Sequence, residues 1–414
     1  MFGRFSSSLG LVGVDFGTRS IKMLQVREVA STPGGLSVVG AARIDVPLTR
    51  VENQVKPKDR TAPTASPEID AADGSAAFAT AQAVIAEQIR AAFAGGGFTG
   101  RRCVVSLARE DVCVQSIRLP KMPDAELRQT AAWEAAQRFG FDRSAMEVDF
   151  IRTGATLASG ENRDEIILVA ASHAAIHARM EPVLAAGLRP LAVDTAFTAL
   201  VRTFSRRVRR EVDQNLVRVV VEIGAGGSTV LILRGDQIAF CKLLPISGAM
   251  FNRAVADHLQ INEQDAGELR KARIGAALSG PAANSLTDPA TDRAVFAAVR
   301  PIISELVKEV TLCLRYYGVT FRGHPPERII LTGGDALEPK LDETLAKACK
   351  LAVEFDDAPA SLGGMINQIQ TCLNRTPGPA PCWAAAMGLS LRGLDARRSR
   401  LAGAPQQELV KGAA

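Results

Sequence analysis

The run Val14-Asp15-Phe16-Gly17-Thr18-Arg19 sets a carboxylate, a glycine and a hydroxyl in one short turn. That combination suits a phosphate. Gly17 lets the main chain approach an anion that a Cβ would hold off. The amides of Thr18 and Arg19, with the Thr18 hydroxyl, can donate to phosphate oxygens. Asp15 can hold a magnesium ion through its hydration water. The same residues also make a plain hairpin in which the aspartate caps its own turn, so the run alone is a weak signal.

A second run, 219–234, repeats the plan of 11–26, with Glu222 in the place of Asp15 and Gly224 in the place of Gly17. Its loop of Gly224, Gly226, Gly227, Ser228 and Thr229 is polar and flexible, suited to the far side of a triphosphate. A third glycine pair, Gly333-Gly334, lies between an apolar strand and a helix. There a flat base can rest on bare backbone, although a strand-to-helix turn needs glycine for steric reasons alone. Three such turns, in this order, point to nucleotide binding.

Each turn needs strands to hold it. Apolar runs at 9–14, 21–26 and 36–44 predict the first three strands, and 217–223, 229–233 and 237–244 predict three more of the same arrangement. This internal repeat predicts two related α/β domains facing each other across a cleft. Between them, 103–107, 112–119, 147–151 and 165–171 read as strands around a helix opened by Pro123-Asp124. That helix carries Leu127, Ala131, Ala135 and Phe139 at four-residue spacing. Helices follow at 174–186, 195–204, 249–259, 262–271 and 292–317, with Pro301 expected near a start or kink.

The resulting division is 1–100 and 186–216 as parts of a first domain, with 101–185 inserted in it. Residues 217–375 form a second domain, and 376–394 a helix returning to the first. Residues 47–75 read as a mobile loop rich in Pro, Ser, Thr and charge, and 395–414 as a disordered tail.

Composition bounds the function. The 414 residues are 47% apolar and 22% charged, enough for two or three cored domains and too apolar for a disordered chain. A net charge of +5 is too mild for a dedicated nucleic-acid binder, even with the basic cluster at 205–210. Seven cysteines without a C-x-x-C fit a reducing compartment. No apolar run reaches the roughly 20 residues of a spanning helix. The reading is a cytoplasmic protein that reaches a membrane only through a partner. His173 and His177, four apart, read as a surface pair rather than a metal site, with no third ligand nearby.

The three turns resemble the phosphate-1, phosphate-2 and adenosine motifs of the actin-like ATPases: VDFGT (14–18), VEIGAGGST (221–229) and ILTGGDAL (330–337). Within that superfamily the chain resembles the PilM family of type IV pilus assembly over nearly its whole length. The matching segments are 13–26, which looks like the opening strand pair, 103–139, which looks like the inserted subdomain, 167–200 and 244–272. MreB-like and chaperone-like proteins carry their insertions elsewhere. The resemblance implies a two-domain actin-like (RNase H-like) fold and bound ATP with Mg2+. It also implies that Glu268 and Lys271 approach the nucleoside as an E-x-x-K pair; the plain alternative is a surface ion pair.

The resemblance further implies a scaffold on the inner face of the inner membrane. Such a scaffold grips the N-terminal cytoplasmic peptide of a PilN-like bitopic protein, and it allows pilus ATPases or further copies of the chain as partners. Two rivals carry distinct expectations. An FtsA-like division tether needs an amphipathic C-terminal helix, and here Gly403 and Pro405 break the tail. A small-molecule kinase needs a carboxylate base beside its acceptor, and no such motif stands out. Glu222 departs from the Asp-x-Gly usual in the second turn, so binding with little or no hydrolysis is expected.

Overall fold

A computed structural model describes residues 9–29, 35–46, 73–158, 161–206, 208, 211–279, 288–321, 324–356 and 380–401. The loop expected at 47–75 lies outside these residues, apart from its last three, which open a helix.

The two copies of the repeat build two five-stranded sheets of the same plan. In the first, β1 (Val12–Phe16), β2 (Ser20–Glu28) and β3 (Leu36–Asp45) are antiparallel neighbours. Then β4 (Arg102–Leu107) and β8 (Arg189–Thr195) run parallel to β1, giving the order β3-β2-β1-β4-β8. In the second, β9 (Val217–Gly224), β10 (Gly227–Arg234) and β11 (Gln237–Leu244) repeat the antiparallel trio. Next to β9, β12 (Arg328–Thr332) and β13 (Ala352–Phe355) add in parallel, for the order β11-β10-β9-β12-β13.

Central strands buried at nearly every residue need cover on both faces. On the first sheet, α1 (Asp73–Gly95) and α3 (His173–Ala185) bring Ile89 and Val183 against Val12, Val14 and Val105. The opposite face takes α9 (Ala384–Leu401), whose Ala386, Met387 and Leu391 cover Leu24 and Val26. The second sheet is covered by α5 (Gly248–Leu259), α7 (Pro289–Phe321) and α8 (Leu341–Cys349). The remaining helix of that half, α6 (Glu263–Ser279), packs on α5.

One helix serves both halves. On α4 (Ala196–Ser205), Ala199 packs with Val104 and Leu389, while Phe197, Leu200 and Phe204 pack on Val220, Leu231 and Ile330 of the second sheet. The two sheets are thus joined by a shared apolar layer.

The inserted unit follows β4. Its strands β5 (Cys113–Pro120), β6 (Met146–Ala158) and β7 (Glu161–Ser172) pair antiparallel in the order β5-β7-β6. Across one face lies α2 (Asp124–Phe139), burying Leu127, Ala131, Ala135 and Phe139 as the spacing predicted. From the other face Ile167 joins the layer around α4. Arg118 of β5 and Glu165 of β7 reach α7, where the Tyr316 hydroxyl donates to Glu165 at 2.7 Å.

Three elements run longer than sequence patterning indicates. The β6–β7 hairpin extends to Ala158 and Glu161, because the polar pair Arg152 and Asp164 faces across the strands where no apolar alternation marks them. Pro301 lies within a continuous α7, on an exposed position. The final helix continues to Leu401, past the expected onset of the tail at Asp395, since no glycine or proline interrupts 395–401. Among the described residues, no helix is long and apolar enough to cross a membrane.

Candidate functional site

The first turn is a tight connection between β1 and β2, with Gly17 N–H donating to the Ser20 carbonyl at 3.0 Å. Because Asp15 and Lys22 are register partners, their side chains meet, Nζ to Oδ2 at 3.0 Å. Ser106, at the end of β4, donates to the other oxygen at 3.1 Å and accepts from the Phe16 amide at 2.9 Å. Both carboxylate oxygens of Asp15 are therefore held. Burial alone would depress the Lys22 pKa, but the Asp15 charge reverses this and raises it overall.

The second turn links β9 to β10, with Gly224 and Gly227 as register partners around Ala225 and Gly226. It faces the first turn directly. A Cβ on Gly226 would collide with Thr18 Oγ1, and one on Gly227 would collide with the guanidinium of Arg109. Glu222, opposite Thr229, lies half-buried behind this turn. Burial pushes its carboxyl up to about 7, against the lowering effects of Arg109 and the Thr229 hydrogen bond, with the Asp15 charge adding to the rise. Ser228 does not face the gap: its hydroxyl donates to the Ile246 carbonyl at 2.6 Å and bolts the turn to the start of α5.

The third turn leaves β12, where Thr332 is the register partner of Glu222. Gly333 takes φ +99, open to glycine alone, with its missing Cβ directed at the Ile223 carbonyl. Its amide donates to Pro381 O at 3.2 Å, which ties the turn to the segment entering α9. Among the described residues only Cys382 comes near the Cβ position of Gly334, at 3.9 Å. All three turns thus gather at the same ends of β1, β9 and β12.

Glu268 and Lys271 lie on the exposed side of α6. The buried side carries Arg270 and Arg273 instead. Arg270 donates to Glu338 at 2.9 and 2.8 Å and to Asn252 at 2.6 Å, and pairs with Asp335 in the third turn at 3.2 Å. Arg273 donates to Glu338 at 2.6 Å. This network sets α5, α6 and the third turn rigidly against one another.

Sequence reasoning missed Lys22, Arg109 and Arg270. A lysine amid the apolar residues of β2, opposite Asp15 once the hairpin is counted out, is a signal that could have found the first. His173 pairs with Glu147 at 3.3 Å, and the described residues contain no cluster of three or more His, Cys, Asp or Glu side chains placed to hold a metal ion directly.

Twin sheets of one strand order, joined by a shared helix layer with three glycine turns meeting at the strand ends, define an actin-like ATPase fold. More narrowly, the chain belongs to the PilM family: the family model for type IV pilus assembly protein PilM matches residues 76–394. Among solved structures it is similar to a PilM-PilN type IV pilus biogenesis complex. That match has a TM-score of 0.68 and 20% identity, over 93% of this chain and 98% of the other. It is also similar to the ethanolamine utilization protein EutJ from Carboxydothermus hydrogenoformans, with a TM-score of 0.49 and 14% identity. This second match covers 94% of this chain and 91% of the other. No curated protein matches it in sequence.

Proposed function

We propose that this chain is an ATP-binding scaffold of the type IV pilus inner-membrane assembly, and that it grips the N-terminal cytoplasmic peptide of a PilN-like bitopic protein. The observation that carries the nucleotide reading is the meeting of the two phosphate turns, Thr18 against Gly226. A Cβ-free surface with lysine at its base is what a polyphosphate needs: a Cβ built on Gly17 would stand 3.6 Å from Lys22 Nζ.

Lys22, the amides of the first turn and the glycine-lined second turn would hold the phosphates. Asp15, both of whose oxygens are already engaged, would meet Mg2+ through water. When bound, that ion neutralises phosphate charge. Gly333 and Gly334 would take the base, with Glu268 and Lys271 at its rim. The partner part of this reading is supported by the similar solved structure, which is of a PilM-PilN complex. Such a partner would place the chain at the inner membrane from the cytoplasmic side.

Hydrolysis is slow in this proposal. Glutamate carries its carboxylate about 1.5 Å further than aspartate, and displacing a reacting group by about 1 Å costs around a hundredfold. A carboxyl whose pKa burial raises also holds its proton more readily near neutrality, which makes it a poorer anchor for an ordered water. The test measures ATP affinity and phosphate release for the native chain and for Glu222→Asp. Tight binding with faint turnover, rising in Glu222→Asp, supports the reading; brisk native turnover that Glu222→Asp slows defeats it. The partner reading is checked by pull-down with N-terminal peptides of bitopic proteins encoded nearby. Binding at micromolar affinity or tighter is expected, and no binding to any of them removes it.

A further inference from the structure

Arg109 stands in a single helical turn (Arg109–Asp111) just past β4, on the first half of the molecule. Its guanidinium crosses to the second half. Nη1 donates to the Ser228 carbonyl at 2.9 Å and Nη2 to the Leu244 carbonyl. Those residues are register partners, so Arg109 caps the end of the β10–β11 ladder. Only a glycine at 227 admits it there.

The mount beneath it is braced. Arg179 of α3 donates to Asp111 at 2.6 Å and to Glu110 at 3.1 Å, and stacks 5.7 Å from the centre of the Phe16 ring. Arg109 is therefore a cation with a fixed base, held against Gly227, next in the chain to the Gly226 that meets Thr18.

We propose that Arg109 distinguishes a nucleoside triphosphate from a diphosphate, exchanging its two carbonyl partners for oxygens of the terminal phosphate. The inference rests on the cleft being a nucleotide site. The physical basis is a difference in acceptors. Hydrogen bonds from guanidinium to an anionic oxygen are roughly twice as strong as those between neutral groups, and the planar fork fits phosphate with two at once. Because the carbonyls it leaves belong to the other half, the exchange also undoes a clasp between the halves. A diphosphate offers no terminal phosphate and leaves the clasp in place. The angle between halves would then follow nucleotide state, driven by differential affinity alone.

The experiment uses the full chain with magnesium and titrates ATP and ADP separately into the native protein, Arg109→Ala and Arg109→Lys. Hydrogen exchange at the amides of 225–229 is followed with each nucleotide. The native protein is expected to favour ATP by about tenfold, within the usual range of coupling between a ligand and a conformational change. Arg109→Ala should bring the two affinities within about twofold of each other by weakening ATP and sparing ADP, because the lost contact is to the terminal phosphate. Exchange at 225–229 should cease to distinguish the nucleotides in that variant. Arg109→Lys keeps the charge but not the fork and should fall between. Should Arg109→Ala fail to fold, the lysine variant decides: an undiminished ATP preference overturns the proposal. So does a native protein that binds both nucleotides equally, which leaves the nucleotide site standing. If the native protein binds neither, the nucleotide reading itself fails, and this inference with it.

Discussion

Asp15 and Lys22 face each other across the first hairpin at 3.0 Å, both almost wholly shielded from water. Their attraction offsets the cost of bringing two charges inside, and removal of either leaves the other uncompensated. Lys22→Met and Asp15→Asn are each expected to cost about 3 kcal/mol or more. The double variant should cost clearly less than their sum. Urea unfolding of all four proteins gives the coupling; additive losses would mean the pair does not act as a pair.

Glu222 gives a pH dependence of known sign. Its folded pKa, about 7, lies above the ordinary 4.5, so the folded chain holds a proton that the unfolded chain releases. Its contribution is full below about pH 4.5 and is lost as pH rises through about 7. The loss is on the order of 3 kcal/mol. Glu222→Gln stays neutral throughout and should flatten the fall between pH 5 and 8. Parallel slopes for the two proteins across that range would show that Glu222 titrates normally.

Asp194 gives the opposite dependence. Burial would raise its pKa, but Arg202 and Arg392, helped by hydrogen bonds from Thr198 and the Thr195 amide, lower it. A depressed carboxylate stabilises above its unfolded value of about 3.8, and that stability is lost as pH falls through the folded pKa. Asp194→Asn should cost about 3 kcal/mol at pH 7, with the deficit shrinking below pH 4. A constant deficit at every pH would point to packing rather than charge.

Gly388 is where α9 lies backbone to backbone on α4, and a Cβ there would run into the Ala199 carbonyl. The obstacle is main chain and cannot rotate away. Gly388→Ala, usually favourable in a helix by up to about 1 kcal/mol, should instead destabilise by about 2–3 kcal/mol. Thermal unfolding against Gly318→Ala, a helical glycine with nothing among the described residues within 4 Å of its Cβ position, isolates the clash.

What the sequence made legible was local. The glycine turns, the hairpins beside them and the buried stripe of α2 each follow from residues close together in the chain. The repeat of one strand plan then fixed the twin sheets, since both copies had to close the same way. The helix face of α6 was not legible. Glu268 and Lys271 match a motif, but Glu338, far along the chain, attracts Arg270 and Arg273 and so decides which side is buried. Arg109 was hidden for the same reason: its acceptors are main-chain carbonyls, which leave no trace in residue type.

The docking of α9 has a consequence for biosynthesis. Ser390 accepts from the Val26 amide and donates to the Leu11 carbonyl, so the first strands are completed by one residue, 364 positions after Val26 and 379 after Leu11. At ribosomal rates of roughly 5–20 residues per second, a nascent chain carries Leu24 and Val26 without their cover for about 20–70 s. The second sheet is built wholly from residues 217–355, all of which are made before Ser390. The half that emerges first from the ribosome is thus the last to be finished, and chaperones that shield exposed strands would act there.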